Sequence, residues 1–314
     1  MLRNLKLALM APLFSLLLSA CGGEDPPLPT VAEAAQQQGF TALVAAANKA
    51  GLSGALADSS ATLTVFAPTN TAFNQLATQL GFANADAMVT ALPAGALANI
   101  LQYHVLSARK QAADLPAGSS TATTLYRYNN AATTLALTVS NGVSLQDAAL
   151  TTARVTQADV QASNGVIHVV DKVLIPPGVL NIVQMAQVNP LFDSLVGAVV
   201  KANLQGALSG AGPLTVFAPT RDAFAAIAST VNSLTVPQLT SVLTYHVVGA
   251  QVLSSGIPFG TPVTTLQGQT ITINAGTPPT IKDSTATSSR IIATDVRASN
   301  GVIHVVDKVL IPTL

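Results

Sequence analysis

The chain carries one long phrase twice, and that repetition limits what it can fold into more than any other feature. The segment from Ser163 to Pro176 returns letter for letter from Ser299 to Pro312, 136 residues later. The segment from Leu63 to Thr69 returns from Leu214 to Thr220 at an offset of 151, and Tyr103-His104 returns as Tyr245-His246 at an offset of 142. Three anchors in one order mean two copies of one domain, and any functional reading has to fit both. The second copy is shorter by 9 residues between its first and second anchors and by 6 more between the second and third. Deletions of this kind are expected in surface loops, which leaves the anchors as framework. Each copy spans about 140 residues, a common size for a domain with its own core. A period that long exceeds the roughly 20–50 residues of solenoid repeats, so the chain reads as a tandem of globular units.

Acidic and basic residues balance at 14 each, and only 9% of the chain is charged. That balance leaves no electrostatic footprint for nucleic acid and no polybasic patch for anionic lipid. Residues 1–20 read as an export signal: Arg3 and Lys6 supply the positive start, and the apolar run 7–18 is too short for a permanent membrane span. It ends in Leu18-Ser19-Ala20 directly before Cys21, the only cysteine. This arrangement resembles the lipobox of bacterial lipoproteins. The resemblance implies that Cys21 is diacylated on sulfur and becomes the mature N-terminus. Each buried methylene contributes about 0.8 kcal/mol, so several chains on one residue anchor firmly. Gly22-Gly23 follow with no Asp at the second position, which in that family directs a protein to the outer membrane of a Gram-negative host. A lipidated Cys21 leaves no disulfide, so both domains must be stable on packing alone. Residues 21–30, with Pro26-Pro27-Leu28-Pro29, read as a short extended tether.

Along each copy the front half reads as helical around one strand. Phe40, Leu43, Val44 and Ala47 fall at helical spacing, matched by Leu191 or Phe192, Leu195, Val196 and Val199. Gly51 and Asn203 fit the ends of those helices. Residues 63–66 form a β-branched and aromatic strand halted by Pro68, after which Thr69 or Asn70 can cap a helix carrying Phe73, Leu76 and Leu80. Thr220, Phe224 and Ile227 repeat it. Leu97, Ile100 and Leu101, with Leu239, Val242 and Leu243, place one more helix before each Tyr-His pair. The back half alternates as strands at 135–139 and 269–273. Asn164-Gly165 and Asn300-Gly301 read as two-residue hairpin turns needing positive φ. Residues 166–170 are apolar on both faces, as in a buried central strand. Pro176-Pro177-Gly178 ends the first unit with little slack, so the two units are expected to hold a limited range of orientations. The expected class is α+β, with units at 31–177 and 178–314.

All four histidines sit in the anchors. Two of them with Asp159 or Asp171 would compose a two-His-one-carboxylate metal set. No spacing places two such ligands on one element, and His168 and Asp171, three apart on a strand, face opposite ways. A buried histidine bonded to backbone is the preferred reading. A serine hydrolase lacks its Gly-x-Ser-x-Gly elbow, and Ser163 and Ser299 are ordinary turn residues. Glycine-rich phosphate loops are missing too. Arg154 with Asp159, and Arg290 with Asp295, read as the solvated or ion-paired side of a hairpin. For Tyr103-His104 and Tyr245-His246, Tyr fills the core and His bonds backbone at a helix-to-strand junction. The alternative is a recognition patch built on aromatic anchors.

The segment 64–73, then Tyr103-His104, then Asn164-Gly165-Val166-Ile167-His168-Val169-Val170-Asp171, together resemble the fasciclin domain family, and 215–224, Tyr245-His246 and 300–307 repeat the match. The resemblance covers about Val31 to Pro312. It implies two tandem α+β fasciclin-like domains, each a β-sandwich-like wedge with helices from its N-terminal half. Family members are mostly secreted or membrane-anchored adhesion modules. Tyr-His segments in some animal relatives are linked to integrin binding, which marks Tyr103, His104, Tyr245 and His246 as candidate partner contacts. Thr69, Asn70, His168 and Asp171, with Thr220, Asp222, His304 and Asp307, are family-motif positions with a structural role. The expected protein is a lipid-anchored bacterial surface adhesion protein, not an enzyme and without a cofactor. Its partner would be a surface or matrix protein or a polysaccharide, held by the avidity of two weak modules. The rival is an envelope lipoprotein gripping a polysaccharide or small ligand in a pocket.

Overall fold

The computed structural model describes residues 26–314. The export signal, Cys21 and the first half of the tether therefore lie outside the described residues. The first copy runs through α1 (Val31–Gln37), α2 (Thr41–Lys49), α3 (Ser53–Ala57), β1 (Leu63–Pro68), α4 (Asn70–Gln79), α5 (Ala85–Ala91), α6 (Ala94–Tyr103) and β2 (Val105–Leu106). It then becomes all strand: β3 (Gly118–Tyr128), β4 (Ala131–Ser140), β5 (Gly142–Gln146), β6 (Thr152–Ala162) and β7 (Gly165–Val170). The second copy repeats this order. Its helices are α7 (Ile182–Gln187), α8 (Asp193–Lys201), α9 (Gln205–Ser209), α10 (Arg221–Ala225), α11 (Ala228–Ser233) and α12 (Val236–Tyr245). Its strands are β8 (Leu214–Pro219), β9 (Val247–Val248), β10 (Pro262–Thr264), β11 (Thr270–Asn274), β12 (Thr280–Lys282), β13 (Ser289–Ala298) and β14 (Gly301–Val306). The α+β class and the tandem organisation are as expected.

Each copy holds one seven-stranded sheet, ordered β2-β1-β7-β6-β5-β4-β3 in the first and β9-β8-β14-β13-β12-β11-β10 in the second. The central pair is parallel, with Phe66 opposite His168 and Phe217 opposite His304. Every residue of β7 and β14 is buried, which explains their unbroken apolar run. Alternation along the central strands serves two cores. Val65, Ala67, Ile167 and Val169 face the helices, whereas Phe66 and Val170 face inward and meet Tyr103, Tyr126, Leu135, Leu137 and Leu145. The sheet therefore curls around its own contents, barrel-like, and closes the other face with helices. Sharp register shifts in β6 and β13, at Asp159 and Asp295 with φ near 60°, make the bend.

Three local expectations are corrected. The length differences between copies fall largely in regular elements and not in loops alone. The 10-residue α4 becomes the 5-residue α10, and the 11-residue edge strand β3 becomes the 3-residue β10. In the first copy these elements carry residues of both cores, Phe73, Leu76 and Ala77 on α4 and Tyr126 on β3, whereas β10 buries none. Second, the β6–β7 turn consists of Ser163 and Asn164, since Ala162 pairs with Gly165, and neither asparagine of the repeated turns has positive φ. Gly165 is needed for another reason: a Cβ there would strike the Leu63 carbonyl of β1. Third, Asp159 and Asp295 are not solvated charges. Asp159 accepts from the Ala112 N–H at 2.8 Å, and Asp295 accepts from the Ser254 N–H at 2.8 Å and its hydroxyl at 2.5 Å. An ion pair does form beside this hairpin, between Arg290 and Asp307 at 2.6 Å, but it is exposed and stabilises little.

Asn164 is 2% exposed and acts as a clamp. Its Oδ1 accepts from the Val31 N–H at 2.8 Å, while Nδ2 donates to the carbonyls of Leu56 and Asp58 at 3.0 and 2.8 Å. Asn300 makes the same three bonds to Ile182, Leu208 and Gly210. Each last hairpin thus pins the first and third helices of its copy. Asn164→Asp keeps the acceptor but loses both donors and places a charge against two carbonyls. Urea unfolding should show it losing at least as much as Asn164→Ala, about 3 kcal/mol, because buried carbonyls left unpaired cost about 1–3 kcal/mol each. A loss below about 1 kcal/mol would reduce Asn164 to a simple turn residue.

The copies meet closely. The buried Asn189 amide donates to the Ala149 carbonyl at 2.8 Å, and the Gly178 N–H donates to the Arg297 carbonyl at 3.0 Å. The Arg297 guanidinium lies 5.8 Å from the Tyr128 ring centre. Gly178, at φ +76°, passes beneath that ring, where a Cβ would collide with it.

Candidate functional site

The repeated polar anchors converge on two places in each copy, the helix-to-strand junction and the loop just beyond it. At the junction, Tyr103 and His104 end α6, and Tyr245 and His246 end α12. All four are 2% exposed or less. The Tyr103 hydroxyl donates to the Thr134 carbonyl at 3.2 Å, and that of Tyr245 donates to the Thr270 carbonyl at 2.9 Å. Their rings fill the curled sheet, Tyr103 edge-on to Tyr126 at 6.1 Å. None of these four side chains is exposed on the outer surface of its copy.

His104 Nε2 accepts the Leu174 N–H at 2.8 Å. An amide can only donate, so the ring proton sits on Nδ1 and goes to the Ile100 carbonyl at 2.7 Å. His246 makes the same bonds with Leu310 and Val242, at 2.8 Å each. Each imidazole is therefore a neutral cross-tie between a helix end and the segment after the last strand. Burial disfavours the cation and pushes both pKa values down to about 4.

The loop after the junction is strapped down from three directions. The Thr64 hydroxyl donates to the Ala108 carbonyl at 2.6 Å and accepts from the Lys110 N–H at 2.8 Å. His168 Nε2 donates to the Lys110 carbonyl at 2.9 Å, and Asp159 takes the Ala112 N–H. Thr215, His304 and Asp295 repeat these bonds on Ala250, Val252 and Ser254. His168 Nδ1 accepts from the Asp159 N–H at 3.3 Å, whereas His304 Nδ1 meets no protein partner. Burial, opposed by its bond to Val252 and by Asp295, lowers the His304 pKa. Both rings stack on the opposing phenylalanine at 5.6 Å. What these straps hold at the surface is a short run of exposed residues, Ser107, Ala108, Lys110 and Gln111, matched by Gly249, Ala250 and Gln251.

The other motif positions are framework. Thr69 and Thr220 cap the following helices, each accepting from an alanine N–H at 3.1 Å. Asn70 does not cap. It ties two segments, accepting from the Ala42 N–H and donating to the Gly39 carbonyl, and Arg221 has no such bonds. Asp222 lies in the first turn of α10, where its charge suits the helix dipole. Asp171 and Asp307 accept from the N–H groups of Arg154 and Arg290 at 2.7 Å. Among the described residues, no group of three His, Cys, Asp or Glu side chains is placed to hold a metal ion.

One buried pair escaped sequence reasoning. Asp147 and Asp283, again 136 residues apart, receive the N–H groups of Ile175 and Ile311 at 3.0 Å. Extending the exact repeat upstream at constant offset would have exposed them. Burial raises the Asp147 carboxyl to about 6 against its hydrogen bonds from Ile175 and Thr151. Burial would also raise Asp283, but bonds from Thr285, Ile311 and Lys308 outweigh it and hold the carboxyl below its ordinary value. Asp283 takes bonds from Thr285 and Ile311 and, at 3.2 Å, from Lys308, while Lys172 acts on Asp147 only through its field.

The family model for the fasciclin domain matches twice, at residues 38–176 and 190–312. Protein sll1483 of Synechocystis is 43% identical over 142 residues, covering 43% of this chain and 75% of that protein. Transforming growth factor-beta-induced protein ig-h3 of Sus scrofa is 32% identical over 253 residues, 79% of this chain and 34% of its own length. Human periostin is 30% identical over 223 residues, 69% of this chain and 25% of its own length. The chain thus spans about a third or less of these two animal proteins. Two domain matches on the two structural copies, in register with the same cross-ties and straps, place the chain in the fasciclin domain family.

Proposed function

We propose that this is a lipid-anchored envelope protein that adheres to a surface or matrix component through two fasciclin modules, without catalysis. The observation that carries the reading is that both copies commit their histidines to framework. His104 and His246 have both ring nitrogens bonded to backbone, and His168 and His304 each strap an exposed loop. Imidazoles so placed serve display rather than proton transfer. Support for adhesion comes from the family, whose domain is found in cell-adhesion proteins. The lipobox-like run before Cys21 supports the anchor, and no helix among the described residues is long and apolar enough to cross a membrane. Two modules joined by a closely packed junction present two loops at a set spacing, so that a second weak contact follows the first at high effective concentration.

The test uses cells making the full chain or Cys21→Ser, fed a labelled fatty acid and then washed over surfaces coated with matrix or envelope extract. The intact chain should take up the label and retain at least tenfold more cells than Cys21→Ser. An unlabelled intact chain would overturn the anchor, and equal retention would overturn adhesion by the anchored form.

A further inference from the structure

We propose that the first copy carries a binding pocket for a small uncharged apolar ligand, an alkyl chain end or a single ring, and that the second copy has lost it by side-chain filling. The inference is independent of the adhesive reading. Between α1, α2, α6 and β1 lies a pocket of about 190 Å³. Its floor is Leu43, Ala47, Val65, Leu101 and Ile167, all buried. For comparison, an apolar protein cavity of about 150 Å³ stays dry and accepts benzene or xenon.

No charged side chain lines this space, and its mouth is edged by Gln36, Asn48 and Gln102. His104 also faces it, but both ring nitrogens are already bonded to Ile100 and Leu174. An ionised ligand would find no counter-charge, and water would lack the two or more polar partners it needs. What remains is dispersion and apolar contact, which favour a neutral hydrophobe.

The second copy supplies an internal control. The equivalent space, lined by Val183, Val199, Val216, Leu243 and His246, is about 30 Å³. The backbone is placed alike, since Val31 and Ile182 hang on the same asparagine clamp. The side chains differ: Val31, Ala32 and Ala47 are replaced by Ile182, Val183 and Val199. The first copy adds a wall that the second lacks. Leu125, on the irregular stretch of the long β3, is exposed and borders the pocket, whereas β10 is only three residues long.

Toluene binding to the full chain, measured by calorimetry, and xenon pressurisation of its crystals test the idea. Toluene should bind once, and xenon should occupy the first copy only. Ala32→Val with Ala47→Val, which reproduces the second copy's residues, should weaken toluene at least tenfold with far-UV circular dichroism unchanged. Val183→Ala with Val199→Ala should open a second site. Absence of both toluene and xenon from the unmodified first copy, or binding undiminished in the valine variant, would overturn the proposal.

Discussion

Replacing His104 or His246 with alanine should destabilise its copy by about 4 kcal/mol, the largest single-residue effect expected in the chain. Removing either ring leaves a buried N–H and a buried carbonyl unpaired, at about 1–3 kcal/mol each, and opens a cavity besides. His304→Ala should be milder, about 2 kcal/mol, because that ring makes one hydrogen bond and has one nitrogen without a protein partner. Hydrogen exchange followed by mass spectrometry reads each copy separately, so protection should collapse in the copy carrying the change. The same experiment separates framework from recognition. A His104→Ala, His246→Ala chain that keeps full protection yet loses its partner would make these residues contacts after all.

Acidification should unfold the second copy before the first. A histidine whose folded pKa is about 4 against an ordinary 6.5 leaves the unfolded state binding the extra proton between those values. The stability it confers is complete above pH 6.5 and is lost as pH falls toward 4, about 3 kcal/mol for each of His104 and His246. Asp147 has the opposite sign. With a folded pKa of about 6 against 3.8, the folded state binds the extra proton, and the first copy gains about 3 kcal/mol over nearly the same window. The two effects offset in the first copy. In the second, the lowered His304 adds to the loss, and Asp283, held below its ordinary value, adds its own at still lower pH. Exchange protection measured from pH 7 to pH 4 should therefore fail first in residues 182–312. Simultaneous loss, or earlier loss in the first copy, would contradict this assignment.

The repeat made the architecture legible because identical residues in two settings must serve something common to both, here packing and backbone pairing. The apolar run of β7, the helix ends at Gly51 and Asn203 with φ of 71° and 55°, and the Thr69 cap all followed from local rules. The missed features depend on distant partners. Helix α1 went unread although Thr30 and Glu33 form a capping box, visible in the spacing Thr-x-x-Glu. The asparagine in each repeated turn was read for its own φ, while its role is set by carbonyls 90 to 108 positions away. The pocket was invisible for a similar reason. Ala47 and Val199 both fit a helical stripe, and only their shared surroundings show that one leaves a space which the other fills.

The asparagine clamps also bear on the order in which each module can assemble. Val31 waits for a bond to a residue 133 positions downstream, and Ile182 for one 118 downstream. A module emerging from its N-terminus must hold its opening helices unlatched until nearly all of it has arrived, and contacts of such sequence separation slow folding. A chain built this way stays loose until its last hairpin is present, and only then does each module close around its opening helices.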